Sequence, residues 1–249
     1  MRFEKFLFAA TAAVALTVSI LGGCKKHKDD PAPPPPPPPP VMKTSYIEVV
    51  HASPRTSEID VKIDTAKMPA KIKYLDKPAG YLPVKTKDSV RIQALANGAV
   101  IAHGVHRLDD KYKYTMFVYD TLDAAKKVKY LLIPDAFSSP ATGKCNIRFL
   151  HLAPQLAAVD VDIIAGKDSI RLAGANPYAG TKAPSGAFSQ IKAGDYRIKV
   201  RAKSGAASMV ILDVSSMKLE KGKTFSLYLH GLVRGTGDTK LGLQLMPHQ

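Results

Sequence analysis

The sequence has no tryptophan and only two cysteines in 249 residues, which excludes disulfide scaffolds and cysteine-built zinc clusters. Aromatic residues make up 7% of the chain and none is interleaved among the alternate basic residues Arg197, Lys199, Arg201 and Lys203, so nucleic acid is not an expected partner. No Gly-x-Ser-x-Gly, His-Glu-x-x-His or Ser-x-x-Lys arrangement stands in a supporting context, and these are the patterns that would place a nucleophile or a catalytic metal. Gly235-Thr236-Gly237-Asp238 lacks the following Gly-Lys-Ser/Thr of a phosphate loop and reads as a hairpin turn. There is thus no positive case for an enzyme, a cofactor or a metal. Acidic residues are also short in number, 21 against 36 Lys and Arg, for a formal net charge of +15.

What the chain does have begins at its N-terminus. Arg2 and Lys5 precede an apolar run from Phe6 to Leu21, followed by Gly22, Gly23 and Cys24. The run is too short for a comfortable membrane span and fits a secretory signal over residues 1–23. Leu21-Gly22-Gly23-Cys24 resembles the bacterial lipoprotein processing box, which implies lipid on Cys24 and attachment to a membrane. An uncleaved anchor, or ordinary cleavage leaving a free thiol, are the alternatives. The following Lys25-Lys26-His27-Lys28-Asp29-Asp30 has no Asp directly after the Cys and carries a Lys-acidic-acidic run. That resembles outer-membrane, outward-facing lipoproteins. Residues 24–44 then read as a tether, because Pro33–Pro40 is an unbroken proline run that spans roughly 25 Å as polyproline II. With Cys24 lipidated, Cys145 has no partner and reads as a small, partly buried residue.

The body repeats itself. Val49-Val50-His51-Ala52-Ser53-Pro54 is matched by Phe149-Leu150-His151-Leu152-Ala153-Pro154, and Ile59-Asp60-Val61 by Val159-Asp160-Val161, both at an offset of 100. Arg91-Ile92 pairs with Arg197-Ile198 at 106, and Tyr114–Tyr119 with Phe225–His230 at 111. A register that drifts slowly means two copies of one domain: copy one over 45–134, a linker over 135–144 and copy two over 145–249. The period inside each copy is two. Ile47, Val49 and His51 alternate with Tyr46, Glu48 and Val50, and Ile147, Phe149 and His151 with Asn146, Arg148 and Leu150, which predicts strands with one buried and one wet face. Further strands are expected at 71–75, 111–119, 129–133, 169–172, 209–214, 224–230 and 241–245, with one short helical turn within 121–129. About seven short strands per copy and no amphipathic helix predict an all-β chain of two tandem antiparallel β-sandwich domains, immunoglobulin-like in kind.

These segments together resemble an uncharacterised domain family found in tandem in bacterial exported proteins and lipoproteins, marked by Val-x-His-Ala-Ser-Pro leading to a Val-Asp-Val strand. Ile191–Ile198 is similar to that family's later Pro-Ala-Gly-x-Tyr-x-Val hairpin, with Val84–Ile92 as a degenerate counterpart. The resemblance covers nearly all of 45–233 and implies a sandwich fold without supplying chemistry. Where the family usually has Asp-Ala-Pro after the first Pro, this chain has Arg55-Thr56-Ser57 and Gln155-Leu156-Ala157.

Two constellations stand out as candidate sites. His51, Pro54 and Asp60 recur as His151, Pro154 and Asp160. One His and one carboxylate are too few for a zinc site, and strand parity puts the histidines on the apolar face and the aspartates on the polar face, so a structural role at the turn is expected. His103 and His106 are expected to be exposed. Arg197, Lys199, Arg201 and Lys203 alternate along one strand, and such a stripe can attract an anionic polymer. A plain solvated face is the simpler reading. The sequence therefore predicts a non-enzymatic envelope lipoprotein that binds an anionic polymer or another envelope protein, or serves as a structural spacer. A glycan-processing enzyme with carboxylates assembled from distant loops is the alternative.

Overall fold

Strand periodicity resolves into sixteen strands among the described residues of the computed structural model, which are 41–248 without 77–79, 87, 205 and 206. Residues 1–23, Cys24 and Pro33–Pro40 lie outside them. Copy one contains β1 (Lys43–Ala52), β2 (Ile59–Ile63), β3 (Ala66–Lys67), β4 (Leu82–Thr86), β5 (Val90–Ala96), β6 (Ala99–His106), β7 (Lys113–Tyr119) and β8 (Lys129–Pro134). Copy two contains β9 (Lys144–His151), β10 (Ala158–Ala165), β11 (Asp168–Pro177), β12 (Ser189–Lys192), β13 (Gly194–Ser204), β14 (Ala207–Leu219), β15 (Thr224–His230) and β16 (Gly242–His248). No helix among the described residues is long and apolar enough to cross a membrane.

Each copy is two four-stranded sheets. In copy one the strand orders are β4-β1-β7-β8 and β3-β2-β5-β6; in copy two they are β12-β9-β15-β16 and β11-β10-β13-β14. The repeat holds strand for strand. Glu48 lies opposite Thr115 as Arg148 lies opposite Ser226, and Val61 lies opposite Ala94 as Val161 lies opposite Val200. Each copy closes its own core: Ile47, Val49, Ile59, Val61, Ile92 and Met116 in the first, and Ile147, Val159, Val161, Ile198, Val200 and Leu227 in the second.

Four expectations about strands and turns need correction. Pairing is not antiparallel throughout: β1 runs parallel to β7, and β9 to β15. A parallel pair needs a long crossover, and the excursions into the other sheet between β1 and β7 supply it. Residues 71–75 do not form a strand, because only Ile72 bridges, to Ile59; the edge of the β2 sheet is the short β3, and β4, whose alternation was read as part of a later hairpin, pairs with β1 in the other sheet. Residues 121–129 hold a tight turn closed by Lys126 N–H on the Asp123 carbonyl at 2.9 Å, not a helical one.

The largest correction concerns the second face of β1 and β9. Glu48, Val50, Arg148 and Leu150 are 5%, 0%, 2% and 0% exposed, not wet. The inner sheets, β4-β1-β7-β8 and β12-β9-β15-β16, are buried on both sides because they cover each other. Val50, Ala52, Phe117, Tyr119 and Ile133 of copy one form a single cluster with Leu150, Leu152, Tyr178, Tyr228 and Met246 of copy two. Burial of the nine large aliphatic or aromatic side chains named here is worth on the order of 20 kcal/mol before entropy is counted. The outer sheets, β3-β2-β5-β6 and β11-β10-β13-β14, keep one solvated face each.

Candidate functional site

The turn that carries the repeated signature sits at the end of β1 in copy one and of β9 in copy two. His51 is wholly buried. Its Nδ1 accepts the Ser53 N–H at 3.3 Å and its Nε2 lies 3.0 Å from the Ser57 carbonyl, a set satisfied by the neutral ring with the proton on Nε2. Ser53 Oγ donates to the Asp120 carbonyl and lies 2.6 Å from Thr56 Oγ1. In copy two Ala153 and Leu156 replace the two hydroxyl residues. His151 is equally buried and lies against the Leu156 backbone without a well-formed hydrogen bond. Burial lowers the pKa of both rings, that of His151 to about 4. Pro54 and Pro154 follow in the same turns.

The aspartates project to the outer sheets. Asp60 pairs with Lys67 at 3.0 Å. Asp160 accepts the Ala175 N–H at 2.6 Å, where β11 bulges, and pairs with Arg171 at 3.0 Å and Lys203 at 3.5 Å. The Ala175 N–H first, and then the two cations, hold its carboxyl below the usual range. His51 and Asp60 are not brought together as a pair, nor are His151 and Asp160. His103 is exposed, but His106 is half-buried and bonded to the Tyr130 hydroxyl at 2.7 Å. Cys145 is free and fully buried in the core of copy two.

The basic stripe lies on the outer sheet of copy two, and the cross-strand register compensates it. Asp162 stands opposite both Arg171 and Lys199, and Lys199 opposite Asp213. Arg197 grips Asp213 with two bonds of 2.7 Å, Lys199 reaches it at 3.9 Å, and Arg201 pairs with Asp162. Five cations (Arg171, Arg197, Lys199, Arg201, Lys203) thus face three carboxylates (Asp160, Asp162, Asp213), so the array keeps a net charge of +2. Arg197 holds the Asp213 carboxyl down. Val210, 44% exposed and opposite Arg201, continues this face at the edge strand β14.

A third constellation was not anticipated. Arg148 Nη2 meets Asp135 Oδ1 at 2.6 Å, and Arg148 Nε donates to Ser226 Oγ at 2.6 Å. Ser226 Oγ lies 2.7 Å from His248 Nε2, His248 Nδ1 lies 2.8 Å from the Tyr81 hydroxyl, and Tyr81 donates to Asp135 Oδ2 at 2.8 Å. The circuit closes on itself, with Thr115 also donating to Asp135 at 2.7 Å and Glu48 3.9 Å from His248. One proton arrangement satisfies every member: Ser226 O–H to His248 Nε2, and His248 Nδ1–H to Tyr81. Burial pushes the Asp135 carboxyl up and the Arg148 guanidinium down, each opposed by the other's charge. Burial, with Arg148 and Lys113, brings His248 to about 3, so the ring is neutral.

Ser226 next to His248 has the geometry of a nucleophile and its base, but Ser226 is 0% exposed and its hydroxyl already accepts from Arg148. An activated nucleophile needs a reachable oxygen. The groove beside this ring, about 610 Å³, is lined by Lys111, Tyr112, Lys113, Phe137 and Ser138 and offers Asp135 as its only acid among the described residues. Glycoside hydrolysis needs two carboxyls flanking one bond. No three His, Cys, Asp or Glu side chains gather as a metal set among the described residues. The ring is therefore a sealed polar centre joining the two copies. Its signal in the sequence was the pair of opposite charges, Glu48 and Arg148, at one repeat position.

No curated protein matches the chain. Among solved structures, the crystal structure of a leucine-rich repeat protein from Bacteroides thetaiotaomicron VPI-5482 is similar at 11% identity and a TM-score of 0.20, over 74% of this chain and 25% of that one. A score that low says nothing about fold or function. Residues 45–162 match DUF4397, described as a domain of unknown function. That span takes in all of copy one and β9 with most of β10, and so both His-x-x-Pro turns.

Proposed function

We propose that the protein is a non-enzymatic lipoprotein of the cell envelope, held by lipid on Cys24 in the outer membrane, facing outward, with Pro33–Pro40 lifting the paired sandwiches off the surface. The immunoglobulin-like reading of those sandwiches belongs to the same proposal. The observation that carries it is where the polar chemistry of the body goes. The buried groups close a ring inside the body, and the exposed groups form an ordered array of both signs on the outer sheet of copy two. Such an array, bordered by Val210, suits a protein surface of complementary pattern better than a uniformly anionic polymer. Rim charges of this kind set encounter and orientation more than raw affinity.

Capture of envelope proteins by the full chain, compared with a variant carrying Arg197→Glu, Lys199→Glu and Arg201→Glu, tests this. The native chain should retain a protein partner at low salt and release most of it near physiological ionic strength, where exposed charges are screened over about 8 Å. The charge-reversed chain, shown folded by circular dichroism, should retain little of it. Equal capture by both chains at both salts would contradict the proposal, and capture of a polyanionic glycan in place of protein would move it to the polymer.

A further inference from the structure

We infer that the inner sheet of copy one is built to accept the inner sheet of copy two and to reject a second copy of itself, so that the chain closes as an internal pseudo-dimer through a heterotypic charge lock.

The equivalences come from register. The offsets of 100, 104, 107 and 111 align β1 with β9, Tyr74 with Tyr178, β4 with β12 and β7 with β15, and Leu75 and Ala179 N–H bond the carbonyls of His51 and His151 alike, at 2.9 Å. Asp135 and His248 occupy one position, each following the proline that pairs with Tyr114 or Phe225. With that alignment the contact between copies is two-fold in pattern. Phe117 meets Tyr228, its own equivalent, at 5.6 Å. Tyr74 packs on His230 at 6.0 Å and 77°, while Tyr178 packs on Tyr119, the equivalent of His230, at 6.0 Å and 79°. Such a reciprocal pattern is that of an isologous interface, so the apolar part of either inner sheet fits a copy of itself as readily as the other sheet.

The charged part breaks this symmetry. Copy one places Glu48 and Asp135 where copy two places Arg148 and His248. In the chain, Arg148 meets Asp135 at 2.6 Å and Glu48 faces His248 at 3.9 Å. Two copy-one sheets brought together would set Glu48 against Asp135 twice, with no Arg148 between them; Lys113 on each side stays over Tyr81 at 4.8 Å. Two copy-two sheets would bury Arg148 against His248 twice without a carboxylate. Burying charges that lack partners costs several kcal/mol per ion, and specificity is the difference between the wanted and unwanted pairings.

Two variants of the full chain test the lock. The half-inverted chain carries Glu48→Arg and Asp135→His, giving both inner sheets the charges of copy two. The fully inverted chain adds Arg148→Glu and His248→Asp, which restores opposition with the signs exchanged. The half-inverted chain should melt roughly 6–20 °C below the native one, or fail to fold, from the loss of a buried pair. The fully inverted chain should fold and recover at least half of that loss. A half-inverted chain as stable as the native one would overturn the inference, as would a fully inverted chain no more stable than the half-inverted one, including the case in which neither folds.

Discussion

Replacing Arg148 by Met should lower the stability of the protein by about 3–5 kcal/mol, the usual cost of removing one partner of a buried ion pair. The guanidinium is the cation of the ring: it holds Asp135 and donates to Ser226 while lying 4.5 Å over the Phe188 ring. Met fills much of the volume but leaves the Asp135 carboxylate buried with only Thr115 and Tyr81 as donors. In a body of this size the melting temperature should drop by roughly 6–20 °C. The loss should also depend on pH in a definite direction. Without its cation, Asp135 has a folded pKa above its unfolded value, so the variant's deficit relative to the native protein should be smaller near pH 5 and grow as pH rises to 8. Adding Asp135→Asn removes the stranded charge and should recover part of the loss. Thermal melts of the native chain, both single variants and the double variant at pH 5 and 8 check this. A deficit under 1 kcal/mol, or one independent of pH, would show that the ion pair does not hold the copies together.

The second large effect is acid sensitivity. His51, His151, His230 and His248 are all buried, with pKa values lowered by burial, to about 4, 4 and 3 for the last three. The folded protein keeps these rings neutral, whereas in the unfolded chain they titrate near 6.5. Above about pH 6.5 neither state is protonated and stability is at its full value. Below it the unfolded state binds protons that the folded state refuses, so stability falls by about 1.4 kcal/mol per pH unit for each ring until the folded pKa is reached. Three rings acting together give a slope of about 4 kcal/mol per unit around pH 5. The carboxylates Asp160 and Asp213, held below their ordinary range, lose their contribution lower on the scale. The melting temperature should therefore be steady from pH 8 to 7 and drop by roughly 8–16 °C per unit between 6 and 4.5. His230→Tyr, which installs the residue of the equivalent position 119, should remove one proton site and flatten the slope. A melting temperature unchanged down to pH 4.5 would show that these rings are reached by water.

Much of this body was readable in the sequence, and the failures share one cause. The repeat offsets located equivalent strands correctly, since insertions between copies fall in connections while the alternation inside strands is fixed by the pleat. Period two also told which residues share a face: Ile47 with Val49 and His51, Glu48 with Val50. It did not tell what covers a face. Glu48 and Arg148 looked like the wet side of β1 and β9 because the covering sheet belongs to the other copy. Val50 and Leu150 on that same side were the sign that it is covered. Asp135 fell in the linker by sequence, although it belongs to the ring, because its N–H bond to the Lys113 carbonyl extends the β7-β8 pairing one residue past the apolar run. The basic stripe was right in position and incomplete in charge. Asp162 and Asp213 neutralise it from neighbouring strands, and only the register of β10, β13 and β14 brings them opposite.

The inner sheets and the ring between them should make the two copies one cooperative body. Scanning calorimetry of the chain at pH 7 tests it most directly, because independent domains unfold independently whereas coupled ones do not. A single transition with equal calorimetric and van't Hoff enthalpies is expected, and it should split or broaden when Arg148 is replaced by Met. Two separate transitions in the native protein, unaffected by Arg148→Met, would contradict it.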